Sequence, residues 1–239
     1  MKDPRPRGHL VRGWTAPPRP DGAVLSGRYA RLEPLDPDAH AALLYDAFAG
    51  HDWVWDYMPV GPFASAAQFH RWMRDAVTQD DFCFYAIRDL EQDAWGGFAS
   101  LMRISPEAGS IEVGFIAMAP LLQRTRAATE AMALMMEWAF AAGYRRYEWK
   151  CDALNMPSRR AAQRLGFSYE GIFRQAVIVK GRNRDTAWFA VIDKEWPALR
   201  EAFSVWLSPS NFDAAGQQKE RLSDLTRLVR VSTDPELSN

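Results

Sequence analysis

Chemistry is most strongly suggested where a strand-like run, Glu-Val-Gly-Phe-Ile-Ala-Met-Ala-Pro at residues 112–120, gives way to a helix-forming run near Gln123 and Arg124. The first amides of a helix lack partners within it and stand at the positive end of its dipole, which makes them a ready seat for a pyrophosphate. Small side chains at Ala127, Ala128 and Thr129 let an anion come close to the backbone, and Arg124 and Arg126 add charge. The plain alternative is a strand-to-helix turn with solvated arginines, and this segment alone does not choose between the two.

Other chemistries lack their residues. Cys83 and Cys151 stand far apart in apolar segments without Cys-x-x-Cys spacing, which predicts buried free thiols rather than a disulfide, a zinc site or a redox pair. His9, His40, His51 and His70 form no close pair and no His-Glu-x-x-His run, so no metal cofactor is expected. Lys+Arg number 29 against 30 Asp+Glu, whereas duplex-binding proteins carry a basic excess, so nucleic acid is not an expected partner. The longest apolar stretch, residues 131–142, is broken by Glu137 and falls short of the roughly 20 residues of a membrane helix. The opening residues are basic, but neither an apolar core nor a small-residue cleavage pattern follows them. A cytoplasmic protein with no membrane partner is therefore expected.

At 239 residues, 48% hydrophobic and 25% charged, the chain has the composition of a globular protein with a sizeable core. Residues 1–23 hold five prolines among scattered arginines and read as a flexible arm. A strand is expected over 24–35, a helix over 37–50, an aromatic-rich loop over 51–63, and a helix from Ala64 or Ser65 through Val77. Three strands in meander order follow, over 82–88, 95–104 and 110–119. The clearest helix spans 124–142, with Ala128, Ala131, Met132, Met135, Trp138 and Ala139 at three-four spacing and Gly143 at its end. It must lie on the sheet.

Beyond it come a strand over 144–152, a short helix over 157–165 and strands over 167–179 and 186–192 about a Lys-Gly-Arg-Asn-Arg-Asp turn. A helix over 196–207 and a last one over 217–231 complete the chain. With no repeat or internal boundary, this predicts one α+β domain over 24–207 and a helical tail over 208–239. Leu222, Leu225, Leu228 and Val229 of that tail pack either on their own domain or on a second subunit of a homodimer.

Gln123-Arg124-Thr125-Arg126-Ala127-Ala128, followed by Thr129-Glu130-Ala131, resembles the acyl-coenzyme-A signature Gln/Arg-x-x-Gly-x-Gly/Ala of the GNAT N-acetyltransferases. Asn155-Met156-Pro157-Ser158, then Gly166-Phe167 and Glu170-Gly171, is similar to the Asn-x-x-Ser…Gly-Phe…Glu-Gly pattern of the ribosomal-protein-alanine (RimJ/RimL-type) branch. Tyr57-Met58-Pro59-Val60-Gly61-Pro62-Phe63 is similar to that branch's Tyr-x-Pro-x-Gly-Pro-Phe segment, so the likeness spans residues 24–195. It implies a mixed, mostly antiparallel sheet flanked by helices, with a parallel pair around an acetyl-CoA cleft. It also implies acetyl transfer from acetyl-CoA directly to a primary amine, on a protein N-terminus or a small molecule.

Three positions depart from the pattern. Arg126 replaces the first glycine, which implies a changed phosphate loop; Ala162 stands where many members carry an acidic tyrosine; Val177 stands where the branch often has a glutamate. Those departures suggest an alternative, a non-catalytic CoA- or nucleotide-binding regulator.

The residues themselves, with that likeness beside them, suggest the following roles. The base falls to Glu112, whose strand alternation puts it with Gly114 and Ile116 on one face, unless it is a salt-bridged strand glutamate. Backbone amides from Phe115 and Ile116 to Met118 polarise the thioester oxygen, and Gln123 through Thr129 hold the coenzyme. Asn155 bonds the pantetheine arm or merely caps the next helix, and Ser158 replaces the missing tyrosine as acid unless it too is structural. Trp53, Trp55, Tyr57, Met58 and Phe63 wall an acceptor pocket or fill core under a long loop. Lys180, Arg182, Arg184 and Asp185 form a turn that recognises an acceptor anion or is simply solvated.

Overall fold

The computed structural model describes residues 5–237, so the first four residues of the expected arm and the last two of the expected tail lie outside the described residues. Eight strands form one sheet: β1 (Leu25–Ser26), β2 (Ala30–Pro34), β3 (Phe82–Asp89), β4 (Ala94–Ser105), β5 (Ser110–Met118), β6 (Arg146–Asp152), β7 (Ser168–Val179) and β8 (Arg182–Ile192). Their order is β1-β2-β3-β4-β5-β6-β8-β7. Neighbours are antiparallel except β5 and β6, which run parallel. This is the α+β arrangement expected, an open sheet with a single parallel pair.

The helices are α1 (Pro37–Phe48), α2 (Ala66–Val77), α3 (Arg126–Ala141), α4 (Met156–Arg164), α5 (Trp196–Leu207) and α6 (Leu222–Thr226). Side-chain caps fix where four of them begin: Asp36, Ser65, Thr125 and Asn155 each accept an amide of the first turn. Each such cap is worth about 1 kcal/mol.

Four expectations on local structure are corrected. Residues 24–35 make two strands, because the Glu130 carboxylate of α3 draws the chain into a turn by accepting the amides of Arg28, Tyr29 and Ala30 at 2.9, 2.6 and 2.7 Å. A Cβ at Gly27 would lie 2.3 Å from that carboxyl, so glycine is what lets it in. The hairpin turn shrinks to Lys180 and Gly181, both at positive φ, and places Arg182 through Asp185 inside β8. The tail helix over 217–231 reduces to α6. Beyond it the chain runs as a strap over α4 and β7, where Val231 donates to the Ser168 hydroxyl at 3.0 Å and Asp234 takes the Arg159 guanidinium. Tertiary partners outweigh helix propensity there.

The fourth correction concerns β5. Between the pairs Ser100–Gly114 and Phe98–Ala117, β5 carries one more residue than β4, a bulge centred on Phe115 at φ 48°. Alternation slips past it. Ile116 joins the α3 side with Val113, while Phe115 and Ala117 turn to the side of Glu112.

Two apolar layers hold the sheet. Leu101, Val113, Met135, Tyr147, Phe167 and Phe189 represent the core between the sheet and α3, α4 and α5. On the opposite face Leu44, Phe48, Trp55, Phe69, Met73 and Phe98 pack α1 and α2 over β3 and β4. That second layer stops short of β6, β8 and β7, whose matching face lines a cleft. The described part of the arm runs along the domain: Tyr144 donates to the Pro18 carbonyl at 3.0 Å and Arg19 to the Asp80 carbonyl at 2.8 Å.

Candidate functional site

The cleft has a volume of about 1630 Å³ and follows a split in the sheet. Strands β5 and β6 pair from Ser110–Arg146 to Val113–Trp149 and then part, so the edge of β5 from Gly114 onward has no strand partner on the β6 side. Backbone groups on that edge are available to a bound molecule. Gly114, Phe115, Ile116 and Met118 all line the opening.

At one end of the cleft lies the start of α3. The amides of Arg124, Arg126 and Ala127 have no acceptor among the described residues, while that of Ala128 is capped by the Thr125 hydroxyl at 3.0 Å. Free amides at the positive end of a sixteen-residue helix, beside Ala128, suit a pyrophosphate. The left-handed backbone of this loop falls at Arg124 (φ 64°), and Arg126 is already helical. Replacing the first glycine by Arg126 therefore does not change the backbone as its sequence position implied.

The Arg126 side chain turns aside. Its Nε donates to Glu91 at 3.1 Å, and its guanidinium lies over the Tyr29 and Phe212 rings at 4.7 and 4.8 Å. Gln123 is likewise engaged, donating to the Met118 carbonyl at 2.8 Å. Ala127 is wholly buried, and Thr129 accepts from Arg164 at 3.1 Å.

In the middle of the cleft, Glu112 anchors a ladder of alternating charge across β4, β5, β6 and β7. Glu112 Oε2 lies 2.9 Å from Lys150 Nζ and 3.0 Å from Arg103 Nε; Lys150 also reaches Glu148 at 2.7 Å, and Arg146 bridges Glu148 and Glu170. The Lys150 side chain is 7% exposed and stands 3.7 Å over the Trp188 ring. Burial raises the Glu112 pKa above the usual carboxylate value, opposed by Lys150 and Arg103 and assisted by Glu148. Burial pushes Glu148 up as well, but hydrogen bonds and charge from Arg146 and Lys150 outweigh it and leave its pKa low. Two carboxylates one strand apart thus differ in affinity for a proton, and the one nearer the split holds it more readily.

The ladder escaped the sequence reading. Its signal is the run Arg146, Glu148, Lys150, Asp152, charges at every second position of one strand.

At the start of α4, Asn155 Oδ1 caps the Ser158 amide at 3.1 Å, leaving its NH₂ group free to donate toward the cleft. The Ser158 hydroxyl accepts from Trp149 Nε1 at 3.0 Å and keeps its own proton to give. Beside it, burial pushes the Cys151 thiol up to about 11, so that group stays protonated. The wholly buried Ala162 lies at the core-facing side of α4.

The aromatic loop divides. Trp53, Tyr57 and Met58 line the cleft, and Tyr57 donates to the Leu154 carbonyl at 3.2 Å across its mouth. Trp55 and Phe63 do not: they pack in the α1–α2 core, with ring centroids 5.2 Å apart and Trp55 also 5.0 Å from Phe48. A Cβ at Gly61 would lie 2.7 Å from the Trp55 ring, which ties the Gly-Pro-Phe motif to core packing. Arg182 is exposed at the far end of β8 and does not line the cleft, whereas Arg184 does.

Comparison with known proteins places this geometry. A family model described as an acetyltransferase (GNAT) domain matches residues 30–168. A GCN5-related N-acetyltransferase from Brucella melitensis is 47% identical over 91% of this chain and 100% of that one, with a TM-score of 0.88. A probable GNAT-family acetyltransferase from Chromobacterium violaceum is 40% identical over 83% and 100%, with a TM-score of 0.77. A Salmonella typhimurium acetyltransferase that modifies the N-terminal serine of a ribosomal subunit protein shares the fold at 19% identity over 71% and 99%, with a TM-score of 0.62. The comparison with curated proteins gives no match. Among the described residues no group of three His, Cys, Asp or Glu is arranged to hold a metal ion, and no helix is long and apolar enough to cross a membrane.

Proposed function

The chain belongs to the GNAT acetyltransferase family and is an acyltransferase; from that membership we propose that it moves an acetyl group from acetyl-CoA directly to a primary amine. Buried Glu112 beside the split between β5 and β6 carries this reading. Acetyl-CoA supplies an activated thioester. Around it the chain's own residues divide the work. The amides of Arg124, Arg126 and Ala127 would hold the pyrophosphate, Asn155 the amide groups of the pantetheine arm, and the open edge of β5 the carbonyl oxygen as it gains negative charge.

Proton handling falls to two side chains. Amines have pKa values of about 8 for α-amino groups and about 10.4 for lysine, so at neutral pH the acceptor arrives charged. Glu112 takes its proton through a water, and its raised pKa suits a base working near neutrality. As the new C–N bond forms and the C–S bond breaks, Ser158 donates to the departing sulfur, its hydroxyl oriented by Trp149.

Within the family, the motifs around Asn155 and Gly61 support a RimJ/RimL-type arrangement. The Salmonella enzyme's action on an N-terminal serine supports an α-amino group as the acceptor. Thiol release from acetyl-CoA in the presence of a broad amine panel, beside CoA binding by calorimetry, tests the reading. Thiol released only when an amine is present is the expected result; binding without release to any amine would make the chain a coenzyme-binding regulator.

A further inference from the structure

Strand β8 lays a row of donors along the cleft floor. Arg184, Thr186 and Trp188 occupy alternate positions, so they share one face, and all three line the cleft. That face is Glu112's: Trp188 pairs with Lys150 and Thr186 with Asp152. The Arg184 Nε and Trp188 Nε1 atoms are buried without an acceptor, and Arg184 forms no ion pair among the described residues. A buried donor left unpaired is destabilising, the more so when it is charged. What opens onto the cleft is the Arg184 side chain, a cation that no carboxylate of the described residues pairs.

None of the neighbouring carboxylates forms an ion pair with Arg184, although Asp56 and Asp152 also line the cleft. Asp185 points to the other face and takes the Gln175 amide at 2.7 Å and Asn183 Nδ2 at 2.9 Å. Asp152 takes the Leu154 amide at 2.9 Å, Glu112 and Glu148 share Lys150, and Asp56 faces Lys180. Facing the row of donors, the walls are apolar: Trp53, Tyr57 and Met58 come from the loop, and Phe173 and Val177 from β7. The Phe173 ring lies 4.5 Å from that of Trp188.

We propose that the acceptor is a free α-amino acid with a bulky apolar side chain. Its amine faces Glu112, its carboxylate meets the Arg184 guanidinium with Thr186 beside it, and its side chain rests on the aromatic walls. A neutral peptide carbonyl in the same place would leave the guanidinium without a counter-charge, which favours the free amino acid over a protein N-terminus. The charged amine first gives one proton to Glu112 through a water; as the C–N bond forms at the thioester carbon and the C–S bond breaks, Ser158 gives its proton to the sulfur, which leaves as the thiol, and the second amine proton restores the Ser158 hydroxyl. This assignment rests on reading the site as an amine acetyltransferase.

The test measures kcat/KM with acetyl-CoA for phenylalanine, leucine and methionine, each against its decarboxylated amine, its amide and a short peptide beginning with it. Binding of the same amino acids to the CoA-loaded protein is followed by calorimetry. The parent should favour the free acids by about 10- to 100-fold, the usual weight of a charge-assisted pair. In Arg184→Gln that ratio should collapse toward one, with Arg184→Lys in between and the cooperative melt retained in both. Equal use of acids and decarboxylated amines, a preference for peptides, absence of amino-acid binding, or a preference that survives Arg184→Gln would each overturn the assignment while leaving amine acetylation standing. Thiol release with no amine at all would instead sink the proposed function beneath it.

Discussion

At the α3 end the cleft is walled by main chain: unpartnered amides of Arg124, Arg126 and Ala127, with the arginine side chain at position 126 turned away onto Glu91, Tyr29 and Phe212. At the β8 end it is walled by side chains, an aromatic loop on one side and Arg184, Thr186 and Trp188 on the other. Amides survive substitution of the residues that carry them as long as the backbone path is kept, which is why an arginine can stand in the glycine's place. Specificity made from side chains has no such tolerance and can be rewritten one residue at a time. The charge ladder from Arg103 to Glu170 lies between the two ends.

The heaviest blow to this division of labour falls on its middle. Glu112→Gln keeps shape but cannot accept a proton, so kcat should fall by about 10² to 10⁴, the range for losing a general base. CoA affinity by calorimetry should stay at the parent value, and the loss should shrink as pH rises and free amine appears unaided. Parent turnover at neutral pH would show that Glu112 only braces the ladder. Next comes the main-chain end. Ala128→Leu places bulk beside the free amides, and overpacking of about 1–3 kcal/mol should weaken CoA binding tenfold or more without abolishing the cooperative melt. Unchanged CoA affinity would put the phosphates elsewhere.

A smaller effect separates the ladder's charges. Lys150→Met removes the cation that counters burial at Glu112, so the Glu112 pKa rises further and the acidic limb of kcat/KM moves to higher pH. Since the folded value already lies above the unfolded one, the native state holds this proton longer, and Glu112 contributes stability that is lost as pH climbs from the unfolded to the folded pKa. Lys150→Met should extend that decline to higher pH and enlarge its total. An unmoved limb would mean that Arg103 alone sets the charge on Glu112.

Much of the main-chain end was legible because it is local. The Thr125 cap, the three-four spacing of Ala128, Ala131, Met132 and Met135, and the motif from Gln123 lie within one strand-to-helix crossing. Where pairing is non-local, the sequence is silent. Nothing near Phe115 announces a bulge, since its left-handed φ is imposed by the register with β4. The Arg159–Asp234 clasp joins residues 75 apart, and it replaces an expected helix by a strap. The charges of β6 could be read as a period of two, but their meeting with Glu112 depends on which strand lies alongside. In the aromatic loop only the fold decides that Trp55 and Phe63 enter the core while Trp53 and Tyr57 face the cleft.

The gentlest probe concerns the point where the acceptor wall is tied to the other side of the mouth. Tyr57 is partly exposed, and its hydroxyl donates to the Leu154 carbonyl at 3.2 Å, linking the aromatic loop to the turn that leads into α4 and Asn155. Tyr57→Phe keeps the ring against the cleft and removes only that hydrogen bond, worth about 0.5–1.5 kcal/mol where it is well formed and less where water competes. The loop should then sample wider openings, and KM for the acceptor should rise by about two- to tenfold with kcat and CoA affinity little changed. If CoA affinity fell in step with acceptor KM, the two ends of the cleft would be mechanically joined through this contact. The separation between a tolerant main-chain end and a tunable side-chain end would then have to be redrawn as one closing unit.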